Sequence, residues 1–199
     1  MDTCWAGKGT LVGSFVPPTD PWYEDLTGVT PYDKAKATGL LTEAGKTGAT
    51  LRLRVPNLPY ATSCGQVVKS QLETVGFKVT LDSLEFPATW LAQVFRGGDF
   101  DMSIVAHVEP RDMPNVFGNP DYYTKYGTPE IKAILKAADE GTPEEQVTSM
   151  KKAARLIAED AAADVLFVLP NLMVADKGIT GLPKNAIGVA FDLSRPAKG

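Results

Sequence analysis

Apolar and basic positions alternate along residues 49–55, ATLRLRV, with Arg52 and Arg54 set between leucines and a valine. A period of two marks a strand with one buried face. The next apolar positions, Val67, Val68, Leu72 and Val75, recur at helical spacing, and Gly76 supplies the stop. Alternation returns from Lys78 to Leu84, KVTLDSL. Pro87 then opens a short helix carrying Trp90, Leu91, Val94 and Phe95, with Trp90 read as core, and Gly97-Gly98 break it. Residues 100–108, FDMSIVAHV, read as a third strand. Strands alternating with helices predict an α/β fold, a parallel or mixed β-sheet flanked by helices.

The flanks follow other rules. Residues 1–30 are rich in Gly, Pro and aromatics without a sustained period, and Pro17, Pro18 and Pro21 forbid a helix interior there. Thr30 is expected to cap a helix with Pro31 first, running through Leu40, Leu41 and Ala44 to Gly45. Residues 109–127 form a long connection dense in Pro, Asn, Asp and Tyr, a length often given to function. Two helices follow, capped by Thr128 before Pro129 and by Thr142 before Pro143, the second with Glu145 completing a capping box. Residues 165–169 are expected to return to the core as a strand. Residues 171–199 read as an extended C-terminal tail whose pieces need a partner elsewhere, as though the chain were one end of a larger protein.

Composition narrows the function. Hydrophobic residues at 44% and charged residues at 22% are ordinary for a globular domain, and the net charge of -4 argues against nucleic acid as a partner. No apolar run approaches the roughly 18–20 residues of a membrane span. Two cysteines, Cys4 and Cys64, have no metal-ligand spacing. They read first as small buried hydrophobes, with a disulfide as the alternative in an oxidising compartment. One histidine, His107, leaves little scope for zinc chemistry, and neither a metal nor a cofactor is expected.

Residues 39–47, GLLTEAGKT, hold five residues between glycines where a phosphate loop needs four, and they follow a helix; Gly45 is better read as a helix stop. His107, Glu109, Arg111 and Asp112 gather at the end of the third strand, where α/β sheets place ligands. A solvated loop whose histidine merely caps the strand would look the same. Phe117 and Tyr122, with Tyr123 and Tyr126, suit either a pocket wall or the packing of a long loop. A hydrolase using His107 with Glu109 or Asp112 is an alternative, but no serine stands in a nucleophile-elbow sequence.

Six segments, in order, resemble one family. They are WAGKGTLVGSFVPP, TPYDKAKATGLLTEAG, QLETVGFKVTL, GDFDMSIVAHV, TPEIKAILKAAD and MKKAARLIAEDAAADVLFVLPNLMV. Together they resemble the family 5 extracellular solute-binding proteins, the dipeptide- and oligopeptide-binding proteins of bacterial ABC importers. The resemblance implies a type II periplasmic-binding-protein-like lobe. Residues 1–170 would be most of lobe II, and residues 171–199 a tail returning towards lobe I. It implies a peptide or small-molecule ligand, an ABC permease as membrane partner and an N-terminal lobe preceding this stretch. It also implies an extracytoplasmic location, with a lipid anchor carried by that preceding part and not by Cys4. A ligand-sensing module of a receptor or regulator would use the same lobe. In the peptide binders, an aspartate three residues after a tryptophan pairs with the peptide's amino terminus. Here those positions hold Pro110 and His107, and the family's later aspartate-proline pair is Met113-Pro114. Glu109 and Asp112 flank the expected position, which makes His107, Glu109, Arg111 and Asp112 the expected contacts and Phe117 and Tyr122 the expected walls.

Overall fold

The alternation at residues 49–55 becomes strand β1 (Thr50–Pro56), and that at residues 78–84 becomes β2 (Lys78–Leu84). They pair in parallel, from Thr50 opposite Lys78 to Pro56 opposite Leu84. The computed structural model describes residues 1–109, 111–170, 172–183 and 194–199. Between the two strands, helix α3 (Pro59–Val75) crosses over one face and ends at Gly76, whose φ of 117° is a left-handed cap that glycine adopts without strain. Leu53, Val55, Ala61 and Val79 form the core under this helix, with Leu51, Val68, Leu72 and Leu81 packed around them. Burying a leucine or valine fully is worth about 1.5–3 kcal/mol, so this alternation carries much of the unit's stability.

The expected third strand shortens to one bridge. Met102 pairs in parallel with Leu53, its carbonyl accepting from Arg54 N–H at 2.9 Å and its N–H donating to Arg52 at 3.1 Å. β1 therefore lies between β2 and this segment. Beyond Met102 the extended chain is held by side chains instead of a ladder. Trp90 Nε1–H donates to Ser103 Oγ at 3.2 Å, and Ala106 N–H donates to Tyr60 Oη at 2.9 Å. The expected strand at residues 165–169 is likewise one antiparallel bridge, between Val168 and Thr10.

The helix expected from Thr30 starts later. Helix α2 (Lys34–Glu43) is capped by Asp33, whose carboxylate accepts from Lys36 N–H at 2.9 Å; Pro31 lies outside it. Leu41 is the buried residue of this helix, packing towards α3, while Leu40 is exposed. Gly45, at φ 65°, follows the helix as a stop. Trp90 ends helix α4 (Ala88–Trp90), which continues as a π-helical turn over Leu91–Arg96. It is buried, as expected.

A second core forms around the later helices. Helix α5 (Met113–Gly118) interrupts the long connection expected over residues 109–127. Helices α6 (Pro129–Glu140) and α7 (Pro143–Glu159) have the expected caps, Thr128 and Thr142, and the second has its full capping box. Their inward faces meet Met113, Val116 and Phe117 of α5 and, from the N-terminal segment, Val16, Trp22 and Leu26. That segment folds back on itself so closely that a Cβ on Gly13 would lie 2.1 Å from the backbone of Leu26. Only glycine fits there.

The N-terminus also contains a short helix, α1 (Asp2–Trp5), that the sequence pattern did not announce. It packs against α3 and brings Cys4 to Cys64, with Cα atoms 4.5 Å apart, in a disulfide. Both cysteines are buried, as expected, but they are bridged and not free. In the tail, β3 (Ile179–Thr180) pairs antiparallel with β4 (Ala197–Lys198).

Candidate functional site

The extended segment after Met102 delivers His107 to a junction between the two cores. Its anchors are the Trp90–Ser103 and Tyr60–Ala106 hydrogen bonds, both from elements of the sheet unit. Past His107 the chain turns sharply, with Arg111 at φ 59°, into α5. Asp112 is the N-cap residue of α5, and its carbonyl accepts from Asn115 and Val116 N–H, both at 3.0 Å, which fixes its backbone. Pro110 lies outside the described residues.

Around the imidazole the geometry is specific. His107 Nε2 lies 2.6 Å from Tyr123 Oη, and the two rings run nearly parallel, 7° apart in plane with centroids at 6.0 Å. Phe15 meets the imidazole edge-on at 5.3 Å. On the other side, His107 Nδ1 lies 3.5 Å from Asp112 Oδ2 and 3.7 Å from Glu109 Oε2. The His107 and Asp112 side chains are 15% and 12% exposed, whereas Glu109 is 63% exposed. Two groups are therefore held within the fold and the third reaches into solvent. His107, Glu109 and Asp112 also form a group of metal-ligating atoms that all lie within 4.8 Å of one another.

Aromatic rings close one flank. Tyr123 packs against Tyr122 at 4.9 Å, Phe95 at 5.6 Å and Trp90 at 6.0 Å, and Tyr122 meets Phe95 edge-on at 5.0 Å. Burial, reinforced by neighbouring Tyr122 and Asp112, pushes the Tyr123 hydroxyl well above the usual phenol range, so it stays protonated. Burial raises Tyr122 as well.

The residues singled out by sequence fare differently. His107, Glu109 and Asp112 converge. Arg111 turns away from them, its guanidinium lying over the Trp22 ring at 5.1 Å. Tyr122 stays half-buried in the aromatic cluster. Phe117, expected as a wall, has no exposed surface and packs between Phe15 at 5.1 Å and Tyr126 at 6.2 Å as core. Its place on the inward face of α5 explains this, because that helix was not foreseen. Tyr123, not Tyr122, is the tyrosine that touches His107. The adjacent pair carried no signal to choose between them, since their order depends on the turn at residues 119–122, closed by Tyr122 N–H donating to Asn119.

Solved structures share this architecture. A dipeptide-binding protein from Pseudoalteromonas in complex with Met-Leu superposes with a TM-score of 0.80 at 20% identity, covering 100% of this chain and 42% of that one. The ABC transporter substrate-binding protein CtaP from Listeria monocytogenes gives 0.81 at 17% identity, over 99% and 43%. The oligopeptide-binding protein AppA from Bacillus subtilis, in complex with a nonapeptide, gives 0.72 at 20% identity, over 84% and 38%. The fold is thus type II periplasmic-binding-protein-like, and the chain spans about two-fifths of the length of these structures. No curated protein matches the sequence. No helix among the described residues is long and apolar enough to cross a membrane. The profile described as bacterial extracellular solute-binding proteins, family 5 Middle, matches residues 1–129, and the chain belongs to that family.

Proposed function

We propose that this chain supplies one wall of a solute-binding cleft in an extracytoplasmic binding protein of an ABC importer. The observation that carries the reading is the convergence of His107, Glu109 and Asp112 beside an aromatic flank, at the end of the segment running along β1. Family membership supports capture without turnover, and the similar structures hold Met-Leu and a nonapeptide. On this reading residues 1–170 are most of the lobe that closes over the solute, and residues 171–199 return towards a first lobe. The closed form docks on a membrane permease, and a lipid anchor on the preceding part keeps the protein at the outer face.

An exposed carboxylate, Glu109, and a largely buried one, Asp112, suit a solute with a positive end, such as a peptide amino terminus. Charge-assisted hydrogen bonds of this kind contribute about 1.5–3 kcal/mol each. Calorimetric titration of a di- and tripeptide panel into the two-lobed polypeptide carrying this chain tests the proposal. Asp112→Ala and Glu109→Ala should each weaken the best ligand by roughly tenfold or more. Unchanged affinity in both variants would place the solute site elsewhere.

A further inference from the structure

We infer that Trp22 and Asp20 clasp the Arg111 side chain, tethering the turn that carries Glu109 and Asp112 and keeping the turn's own cation off those carboxylates. The inference deepens the proposed function and rests on it for the solute. Arg111 stands between Glu109 and Asp112 in the chain. A guanidinium so placed would ordinarily pair with one of them, and a paired carboxylate has little left for a solute's positive end. Among the described residues neither carboxylate takes it. Both lie beside His107 instead, while the guanidinium sits 5.1 Å from the centre of the Trp22 ring.

The N-terminal segment is built to receive that cation. Two successive turns set Asp20 and Trp22 in one short loop: Asp20 N–H donates to the Pro17 carbonyl and Tyr23 N–H to the Asp20 carbonyl, both at 3.0 Å. Trp22 is buried in the second core with Val16 and Leu26, so its ring is a fixed platform, and the exposed Arg111 lies over it. A cation over an indole face is attracted by the ring's quadrupole, and tryptophan is the best such partner. Asp20 adds a carboxylate to the same place. Burial raises its carboxyl above the ordinary value of 3.8, and the Arg111 charge works against that rise.

Backbone geometry points the same way. Arg111 has a φ of 59°, in the left-handed region that residues other than glycine adopt at a cost. Such a conformation persists where the surroundings over-determine it. Here the turn is held on one side by Asp112, the N-cap residue of α5, and by the clasp through the Arg111 side chain itself. α5 presses Met113, Val116 and Phe117 into the core that contains Trp22, so both holds belong to the same core. Released from Trp22, the turn would loosen, and its guanidinium would compete with the solute for the neighbouring carboxylates. Arg111, Trp22 and Asp20 are therefore positioning residues.

The test is a double-mutant cycle in the two-lobed polypeptide, read by calorimetry with the same di- and tripeptide panel, alongside NMR of the 199-residue chain. Arg111→Gln loses the tether and should weaken the best peptide by roughly two- to fivefold. Trp22→Leu loses the tether and frees the cation as well, and should weaken it by roughly tenfold or more. The double variant has no cation to free, so it should bind as Arg111→Gln does, and removing Arg111 rescues the Trp22 variant. Asp20→Asn should fall between wild type and Trp22→Leu. In the wild-type chain the Arg111 δ-protons should be shifted upfield by the Trp22 ring, and in Arg111→Gln the amides of Glu109 and Asp112 should gain motion in nitrogen-15 relaxation. Lys136→Gln, at an exposed cation of α6, should change nothing. Losses that simply add in the double variant would leave Trp22 a core residue alone and overturn the inference, as would unshifted Arg111 protons or wild-type affinity in all the clasp variants. Should Trp22→Leu fail to fold, Asp20→Asn with and without Arg111→Gln completes the cycle. A wild type that binds no peptide refutes the proposed function instead, and the proton shifts and amide motion then decide the clasp.

Discussion

Asp99 accepts from two arginines of β1, Arg52 and Arg54, the latter at 2.6 Å. The Arg52 hydrogen bond, more than any other influence, holds its carboxyl below the ordinary value of 3.8. The unfolded chain therefore takes up this proton at a higher pH than the folded one. Stability from Asp99 is complete above about pH 4 and drains away as the pH falls through the lower folded value. Urea midpoints measured from about pH 6 down to pH 2 should fall less steeply for Asp99→Asn than for wild type. Parallel profiles would show that the pair is screened out by solvent, as exposed ion pairs often are. Thr142 offers a second single-residue test. Its hydroxyl accepts from Glu145 N–H at 3.3 Å while Glu145 accepts from Thr142 N–H at 2.8 Å, so Thr142→Ala should lower stability by about 1 kcal/mol in chemical denaturation. Caps of this kind are written in the sequence because both partners lie within four residues. The partner of His107 is not, because Tyr123 reaches it across 16 positions and two turns.

At the scale of elements, local rules again separate what was legible from what was not. β1, β2, α3, α6 and α7 follow from periodicity and caps, which depend on near neighbours. The segment 100–108 has strand composition, yet Tyr60 holds its backbone at Ala106 and Trp90 holds its Ser103 side chain in place of a ladder, and both anchors come from outside the segment. α5 was hidden because Pro114 in its first turn reads equally as loop. The Cys4–Cys64 bridge needed α1 to lie on α3, which no spacing could announce. It ties the N-terminal segment to the sheet unit across a separation of 60 residues. Replacing both cysteines with alanine should cost about 2–4 kcal/mol, seen as a lower urea midpoint. Thiol titration of the unreduced, denatured chain should find no free thiol, and two after reduction.

Across the whole molecule, the proposed cleft makes a demand that this chain alone does not meet. A cleft ligand is held by being enclosed, typically with about 70–90% of its surface covered by the protein. This chain carries one wall. Val108, next to His107 in sequence, is exposed although apolar. A peptide touching the chain alone gains a few hydrogen bonds and little desolvation, which does not repay the loss of its freedom. Calorimetry of the isolated chain should therefore show peptide affinity at least about a hundredfold weaker than the two-lobed polypeptide. Tight peptide binding by the chain alone would defeat the two-wall reading.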